Sequence, residues 1–192
     1  MAEQVGILAV QGDIEAHEAA LARIGAGSRR VLSARDLAEI DALILPGGES
    51  TTISKGLGRL GLVEPLREFA ASGRPVLGTC AGAILLARKA DNHPVPTLGL
   101  LDAVAVRNAY GTQVDSFAAE VDPGPEAAAA GLEGLRCIFI RAPQLRDPGP
   151  EVEILARVDG LPVLLRQRNV FACTFHPELT RDPRVHGLLL PR

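Results

Sequence analysis

The chain opens on an apolar run, Val5 to Val10, followed by Ile14 to Ile24, in which apolar positions recur at helical spacing until Gly25. A short continuous apolar run reads as a strand, an i, i+3, i+4 recurrence reads as a helix, and glycine marks its end, so the opening is a β-turn-α unit. The alternation returns twice. Ala42 to Leu45 precedes helical patterns over Thr52 to Leu60 and Val63 to Ala71, and Val76 to Gly78 precedes Ala81 to Arg88. These strands are apolar throughout instead of alternating with polar residues. Such strands need cover on both faces, which predicts an α/β fold built on a parallel sheet.

The second half is richer in extended runs: Ala103 to Val106, Cys137 to Ile140, Val152 to Val158, Pro162 to Leu165 and Val170 to Phe175. Gly, Pro and Asp punctuate them, which predicts hairpins and an antiparallel extension of the sheet. Asn92 to Thr97, Asp122 to Gly134 and Asp147 to Pro150 read as loops, none long or biased enough to separate domains. The tail from Asp182 begins like a helix and stops within about two turns.

A length of 192 residues fits one domain over 1–192 and is long enough to bury a core without disulfides or a structural metal. With aromatics at 3% of the chain, that core must be built from Ala, Val, Leu and Ile. A net charge of −3, with no basic cluster beyond pairs such as Arg29-Arg30, offers no footprint for nucleic acid or an anionic membrane. The amino terminus carries no basic n-region, and no apolar stretch reaches membrane-spanning length, so the expectation is a soluble, cytoplasmic protein. Cys80, Cys137 and Cys173 are odd in number and lack metal-type spacing, which argues against a disulfide framework or a zinc site.

The segment richest in chemistry is Val76-Leu77-Gly78-Thr79-Cys80-Ala81-Gly82, a strand running through Gly-x-Cys-x-Gly into a helix. This is the cysteine form of a nucleophile elbow: the glycines permit a tight turn that lifts the side chain between them out of the sheet, and backbone N–H groups beyond it face an incoming carbonyl. An isolated cysteine is more often a buried small hydrophobe, but this context favours a nucleophile. Such a thiol needs a base and a group to orient that base. Phe175-His176-Pro177-Glu178 follows a strand and supplies both, His176 to take and return the proton and Glu178 to hold the imidazole. Taken alone, the pair would be a strand-end histidine and a helix-entry acid. His17, His93 and His186 have no such company and are assigned surface or packing roles.

Leu45-Pro46-Gly47-Gly48-Glu49-Ser50 also joins a strand to a helix, so its N–H groups can converge on an oxyanion. A capped Gly-rich turn is the competing explanation; a phosphate loop is disfavoured because its Gly-Lys-Ser/Thr is missing.

Together these three motifs, in this order and separation, resemble the class I (triad) glutamine amidotransferases. Within them the chain is most similar to the glutaminase subunit of the two-subunit pyridoxal phosphate synthase. That narrower resemblance rests on Leu8-Ala9-Val10-Gln11-Gly12, Gly47 to Thr52, Arg107-Asn108-Ala109-Tyr110-Gly111, Gln113 to Phe117, Phe139-Ile140-Arg141-Ala142-Pro143 and Phe175 to Thr180. It implies a three-layer flavodoxin-like fold, L-glutamine as substrate, and ammonia channelled to a separate synthase subunit that builds pyridoxal phosphate. No metal or cofactor is implied for this chain. By the same resemblance Cys80, His176 and Glu178 are the triad, Gly47, Gly48, Glu49, Arg107, Ile140 and Arg141 contact glutamine, and Gln11 lies at the subunit contact. An arginine suits the α-carboxylate of glutamine and an acid its α-ammonium. Without the resemblance, Arg107 and Arg141 would be strand-end arginines reaching for water.

Three features depart from the family's pattern. Thr112 replaces an arginine, the carboxyl-terminal helix is short, and the loop from Asn92 to Thr97 is variable. Cys137 and Cys173, in apolar runs, read as buried core thiols. The alternatives are the glutaminase subunit of imidazole glycerol phosphate synthase, disfavoured by the Arg107 to Phe117 and Phe139 to Pro143 segments, and a binding or redox relative on the same fold, for which a complete triad has no purpose.

Overall fold

The computed structural model describes residues 3–107, 109 and 116–191. In its first half β1 (Gln4–Leu8), α1 (Ile14–Arg23) and β2 (Gly27–Val31) are followed by β3 (Ala42–Leu45), α2 (Ser50–Leu60) and α3 (Val63–Ala71), then by β4 (Val76–Thr79) and α4 (Ala81–Leu86). The second half runs β5 (Ala87–Asp91), β6 (Leu101–Val106), β7 (Ser116–Glu120), α5 (Pro125–Ala130), β8 (Arg136–Ile140), β9 (Gln144–Arg146), β10 (Glu153–Val158), β11 (Leu161–Gln167), β12 (Val170–Cys173) and α6 (Arg184–Gly187).

The main sheet has the order β10-β11-β12-β4-β3-β1-β2. From β2 to β12 all neighbours are parallel, and β11 and β10 continue the sheet antiparallel. The expected parallel sheet with an antiparallel extension is therefore present. Its central strands β3, β4 and β12 are buried on both sides because each side faces a separate layer. In β3, Leu43 and Leu45 pack with Ile53, Leu57 and Phe69 of α2 and α3, whereas Ala42 and Ile44 pack with Leu21 of α1 and with Cys137 and Phe139 of β8. That is the period-2 geometry of a strand buried from both sides, and it yields three layers.

Several elements differ from the sequence reading. The helix expected over Ala81 to Arg88 ends at Leu86, and Ala87–Asp91 becomes β5, paired parallel to β6. Within it Ala87 and Ala90 are buried while Arg88 and Lys89 face solvent, a pattern too short to separate strand from helix. The expected loop from Asp122 to Gly134 contains α5, which starts on Pro125 and stops at Gly131 in the left-handed conformation (φ 69°). Proline at the start and glycine at the stop are the ordinary punctuation of a short helix. β2, β7 and β9 were not anticipated: Gly27 to Val31 and Ser116 to Glu120 are edge strands with exposed polar positions, and β9 spans three residues. Among the described residues, no helix is long and apolar enough to cross a membrane.

Candidate active site

Three neighbouring strands bring the motifs to one edge. β12, β4 and β3 are adjacent and parallel, in a register that pairs Cys173 with Thr79 and Leu45 with Gly78. The segments leaving their carboxyl ends must therefore meet: Thr174 to Glu178, Cys80, and Pro46 to Glu49. This end of an open α/β sheet is where ligands bind.

Cys80 stands at φ 48°, ψ −102°, between β4 and the first residue of α4. A side chain held there costs roughly 1–3 kcal/mol, which the surrounding structure must offset. The turn is anchored by the Cys80 N–H, which donates to the Cys173 carbonyl at 2.8 Å. It is tight because α4 lies directly on β3: a Cβ at Gly82 would overlap the Leu45 carbonyl oxygen. Gly47 is confined in the same way. A Cβ on it would lie 2.6 Å from Cε1 of His176 and 3.4 Å from Cβ of Cys80, so the backbone of Gly47 forms a wall against both.

His176 is docked by its own N–H, which donates to the Ile138 carbonyl of β8 at 2.8 Å. Its Nδ1 lies 2.7 Å from Oε1 of Glu178. Glu178 is buried, in a single 3₁₀ turn from Pro177 to Leu179. Burial disfavours an imidazolium at His176, but hydrogen bonds with Cys80 and Glu178, and their charges, outweigh it and carry the pKa up to about 10. Burial likewise opposes ionisation of Glu178, yet the hydrogen bond from His176, with the electrostatic influence of the neighbouring His17 and His176 rings, leaves its pKa below the usual carboxylate value. The geometry thus favours an imidazolium at His176, held by the Glu178 carboxylate and set beside the Cys80 sulfur. The other two thiols are different. Burial pushes Cys137 up to about 12 and Cys173 well above its ordinary value, which makes both inert.

Beside Cys80 is a cavity of about 220 Å³, lined by Gly48, Glu49, Ser50, Ala81, Ile84, Arg107, Ile140, Arg141 and His176. The Ile140 carbonyl lies 3.8 Å from Sγ of Cys80. Arg141 turns at φ 44° where β8 ends. Glu49 caps α2, accepting from the N–H groups of Thr51 at 3.0 Å and Thr52 at 2.7 Å. Burial raises its pKa, but these bonds and the Thr52 hydroxyl outweigh it and bring the carboxyl down to about 2. Arg107 donates to Glu49 Oε1 at 3.2 Å and to the His93 carbonyl at 3.1 Å. Gln11 is outside the lining; its Oε1 accepts the Glu49 N–H at 3.1 Å, so it touches the backbone that follows Gly48.

Every predicted site residue is thus brought to this edge of the sheet. Thr112 and most of the Arg107 to Phe117 signature lie outside the described residues. Three residues here were not foreseen. The Asn92 side chain brackets Arg107, accepting its N–H at 3.1 Å and donating to its carbonyl at 2.7 Å. His17 and His186, expected to have surface or packing roles, are fully buried behind Glu178. The only hint in the sequence was that His17 shares a helix face with Ala20 and Leu21. Among the described residues, no group of three or more His, Cys, Asp or Glu is placed to hold a metal ion.

Residues 7–191 match the SNO glutamine amidotransferase family. The chain belongs to that family. Membership makes it an enzyme acting on the side-chain amide of glutamine. Relatives include proteins named pyridoxal 5'-phosphate synthase subunit PdxT. The one from Roseiflexus castenholzii is 51% identical over 97% of this chain and 98% of its own, and the one from Carboxydothermus hydrogenoformans is 47% identical over 98% and 97%. A solved structure described as a glutamine amidotransferase superposes with a TM-score of 0.89 at 46% identity, covering 97% of this chain and 96% of that one. The flavodoxin-like three-layer fold expected from the resemblance is the fold this family uses.

Proposed function

We propose that this chain is the glutaminase subunit of a pyridoxal 5'-phosphate synthase, residues 1–192 acting as one glutamine amidotransferase domain. It hydrolyses L-glutamine to L-glutamate and ammonia, and the ammonia passes to a synthase subunit docked near Gln11. The observation that carries this reading is the alignment of Cys80, His176 and Glu178 at a small polar cavity, in a chain whose relatives of matching length bear that subunit's name.

The chemistry follows from the geometry. The Cys80 thiolate attacks the δ-carbon of glutamine, and the negative charge that develops on oxygen is met by backbone N–H groups of Ala81 and of the Gly47-Gly48 segment. His176, protonated and held by Glu178, gives its proton to the departing nitrogen, so the C–N bond breaks, ammonia leaves and a γ-glutamyl thioester remains. Water then enters, His176 takes one of its protons, and hydroxide adds to the thioester carbon. Loss of the thiolate releases the γ-carboxyl, which gives its remaining proton to solvent to become glutamate, and Cys80 and His176 return to their starting states. Arg107 and Arg141 are the cations available to the α-carboxylate, and Glu49 is the anion available to the α-ammonium. We place the subunit in the cytoplasm, where its substrate, a soluble amino acid, is met.

The test is glutamate release from glutamine by the purified chain, alone and with the synthase subunit, beside Cys80→Ala. Slow release alone, acceleration by the synthase subunit and loss in the variant are expected. A variant as active as the wild type would end the thioester mechanism.

A further inference from the structure

His176 engages one oxygen of Glu178 and leaves the other free. Oε2 of Glu178 points away from the cavity, toward the α1 layer, and lies 3.7 Å from Nε2 of His17. His17 and Glu178 are both buried, and neither of these atoms has a hydrogen-bond partner among the described residues. On the far side of the ring, Nδ1 of His17 lies 3.0 Å from Nε2 of His186, which is also fully buried. The line thus runs from the thiol to α6: Cys80, His176, Glu178, His17, His186.

We propose that His17 is a positioning residue for the triad, its Nε2–H serving the Glu178 oxygen that His176 does not use, with His186 locking its tautomer. This rests on the reading of Glu178 as the triad acid. Hydrogen-bond roles permit one assignment. A carboxylate only accepts, so the His17 nitrogen facing it carries the proton. A neutral His17 then has a bare Nδ1, which must accept, and Nε2–H of His186 is the donor in reach. That leaves Nδ1 of His186 bare, consistent with its lack of any hydrogen-bond partner among the described residues.

Charge agrees with this assignment. Burial lowers the pKa of His17, aided by the charge of His176 and opposed by Glu178 and Asp13. Burial also brings His186 down to about 3, aided by His17 and Arg23 and opposed by Glu178. Both rings are therefore neutral near neutral pH. A neutral donor fixes the carboxylate without competing with the His176 imidazolium for its charge. At 3.7 Å the contact is longer than a hydrogen bond, and closing it takes about 0.5–1 Å, in the direction of catalytic contacts that tighten on substrate binding.

Two measurements test this. In wild-type protein with ¹⁵N-labelled histidine, NMR should show His17 and His186 as Nε2–H tautomers that do not titrate between about pH 5.5 and 8.5. A His17 protonated on Nδ1, or one that titrates in that range, overturns the proposal, and this arm needs no variant to fold. In the complex with the synthase subunit, His17→Leu should lower kcat for glutamate release by about 10–100-fold while KM changes less than about twofold. Its acid limb should move to higher pH, because Glu178 has lost a donor to its ionised form. His17→Gln, which places an amide N–H near the position of Nε2, should recover most of the rate and the wild-type limb. A folded His17→Leu with wild-type kcat and acid limb overturns the proposal, as does a His17→Gln no better than the leucine variant. A wild-type complex that releases no glutamate would instead end the glutaminase reading, and the tautomers would still decide whether His17 donates to Glu178.

Discussion

Arg107 and Glu49 are joined across the mouth of the cavity, Nη2 to Oε1 at 3.2 Å, although they are 58 positions apart in the chain. The pair brings together the two charges that the α-carboxylate and α-ammonium of an amino acid require, in opposite order. With no substrate bound, each group neutralises the other; glutamine entering between them would give each a new partner. The Thr51 and Thr52 amides keep Glu49 ionised, and Asn92 holds the Arg107 backbone, so binding need only open the contact between the two side chains.

Arg107→Ala should therefore weaken glutamine binding and spare chemistry. A charge-assisted contact of this type is worth ~1.5–3 kcal/mol, so KM for glutamine should rise by about 10–100-fold with a smaller change in kcat. The pair is partly exposed, and pairs of that kind add little to folding, so the melting temperature should hardly move. Steady-state kinetics of glutamate release in the complex would check this. A fall in kcat at unchanged KM would place Arg107 in the reaction instead of in binding.

Gly47→Ala tests the wall behind the triad. Its Cβ would sit 2.6 Å from His176 Cε1, so the ring must swing off the Cys80–Glu178 line. A displacement of about 1 Å can cost about 100-fold in rate, and a loss of that size in kcat is expected, with the far-ultraviolet spectrum unchanged. Wild-type turnover in this variant would mean that the ring has room the geometry does not show.

How much of this could be seen in the sequence follows from the range of the interactions. The strands β1, β3 and β4 were legible because burial on both faces makes them continuously apolar, and the elbow was legible because Gly78, Cys80 and Gly82 are local to one turn. Edge strands such as β2, with Ser28 and Arg30 exposed, carry no such signal. The triad could be paired only because His176 and Glu178 are two residues apart. His17 and His186, 169 positions apart, meet solely because α1 and α6 lie on the same side of the sheet, and no local pattern announces that. Asn92 reaches Arg107 from a loop whose sequence reads only as a loop.

The elbow strain predicts an unusual order of stability. At φ 48° glycine avoids a penalty of roughly 1–3 kcal/mol that alanine must bear. Against this, glycine loses about 0.5–1 kcal/mol more than alanine in chain entropy on folding. Cys80→Gly should therefore be at least as stable as Cys80→Ala, the reverse of the order elsewhere in a fold. Urea midpoints of the two inactive variants decide it, and a clearly more stable alanine variant would show that the turn is relaxed.

The buried histidines make a prediction about acid. His186 has its pKa lowered to about 3 in the fold and about 6.5 when unfolded, so between these values the unfolded chain binds a proton that the folded chain does not. Its contribution is present above pH 6.5 and is lost as pH falls toward 3, at ~1.4 kcal/mol per pH unit for one group. His17 is lowered too and acts in the same direction. Glu178 joins at lower pH, since a carboxylate held below its ordinary value loses its contribution as pH falls through the folded pKa. His176 acts at the other end: raised to about 10, it contributes fully below 6.5 and loses that contribution as pH rises through 10. Stability should therefore peak near neutrality and fall on both sides. His186→Leu separates the acid terms, because a leucine cannot titrate. Whatever it loses at neutral pH through the missing donor to His17, its stability should fall less steeply than the wild type's between about pH 6 and pH 4. Denaturant midpoints across that range measure the two slopes, and parallel slopes would mean that protonation of His186 does not drive acid unfolding.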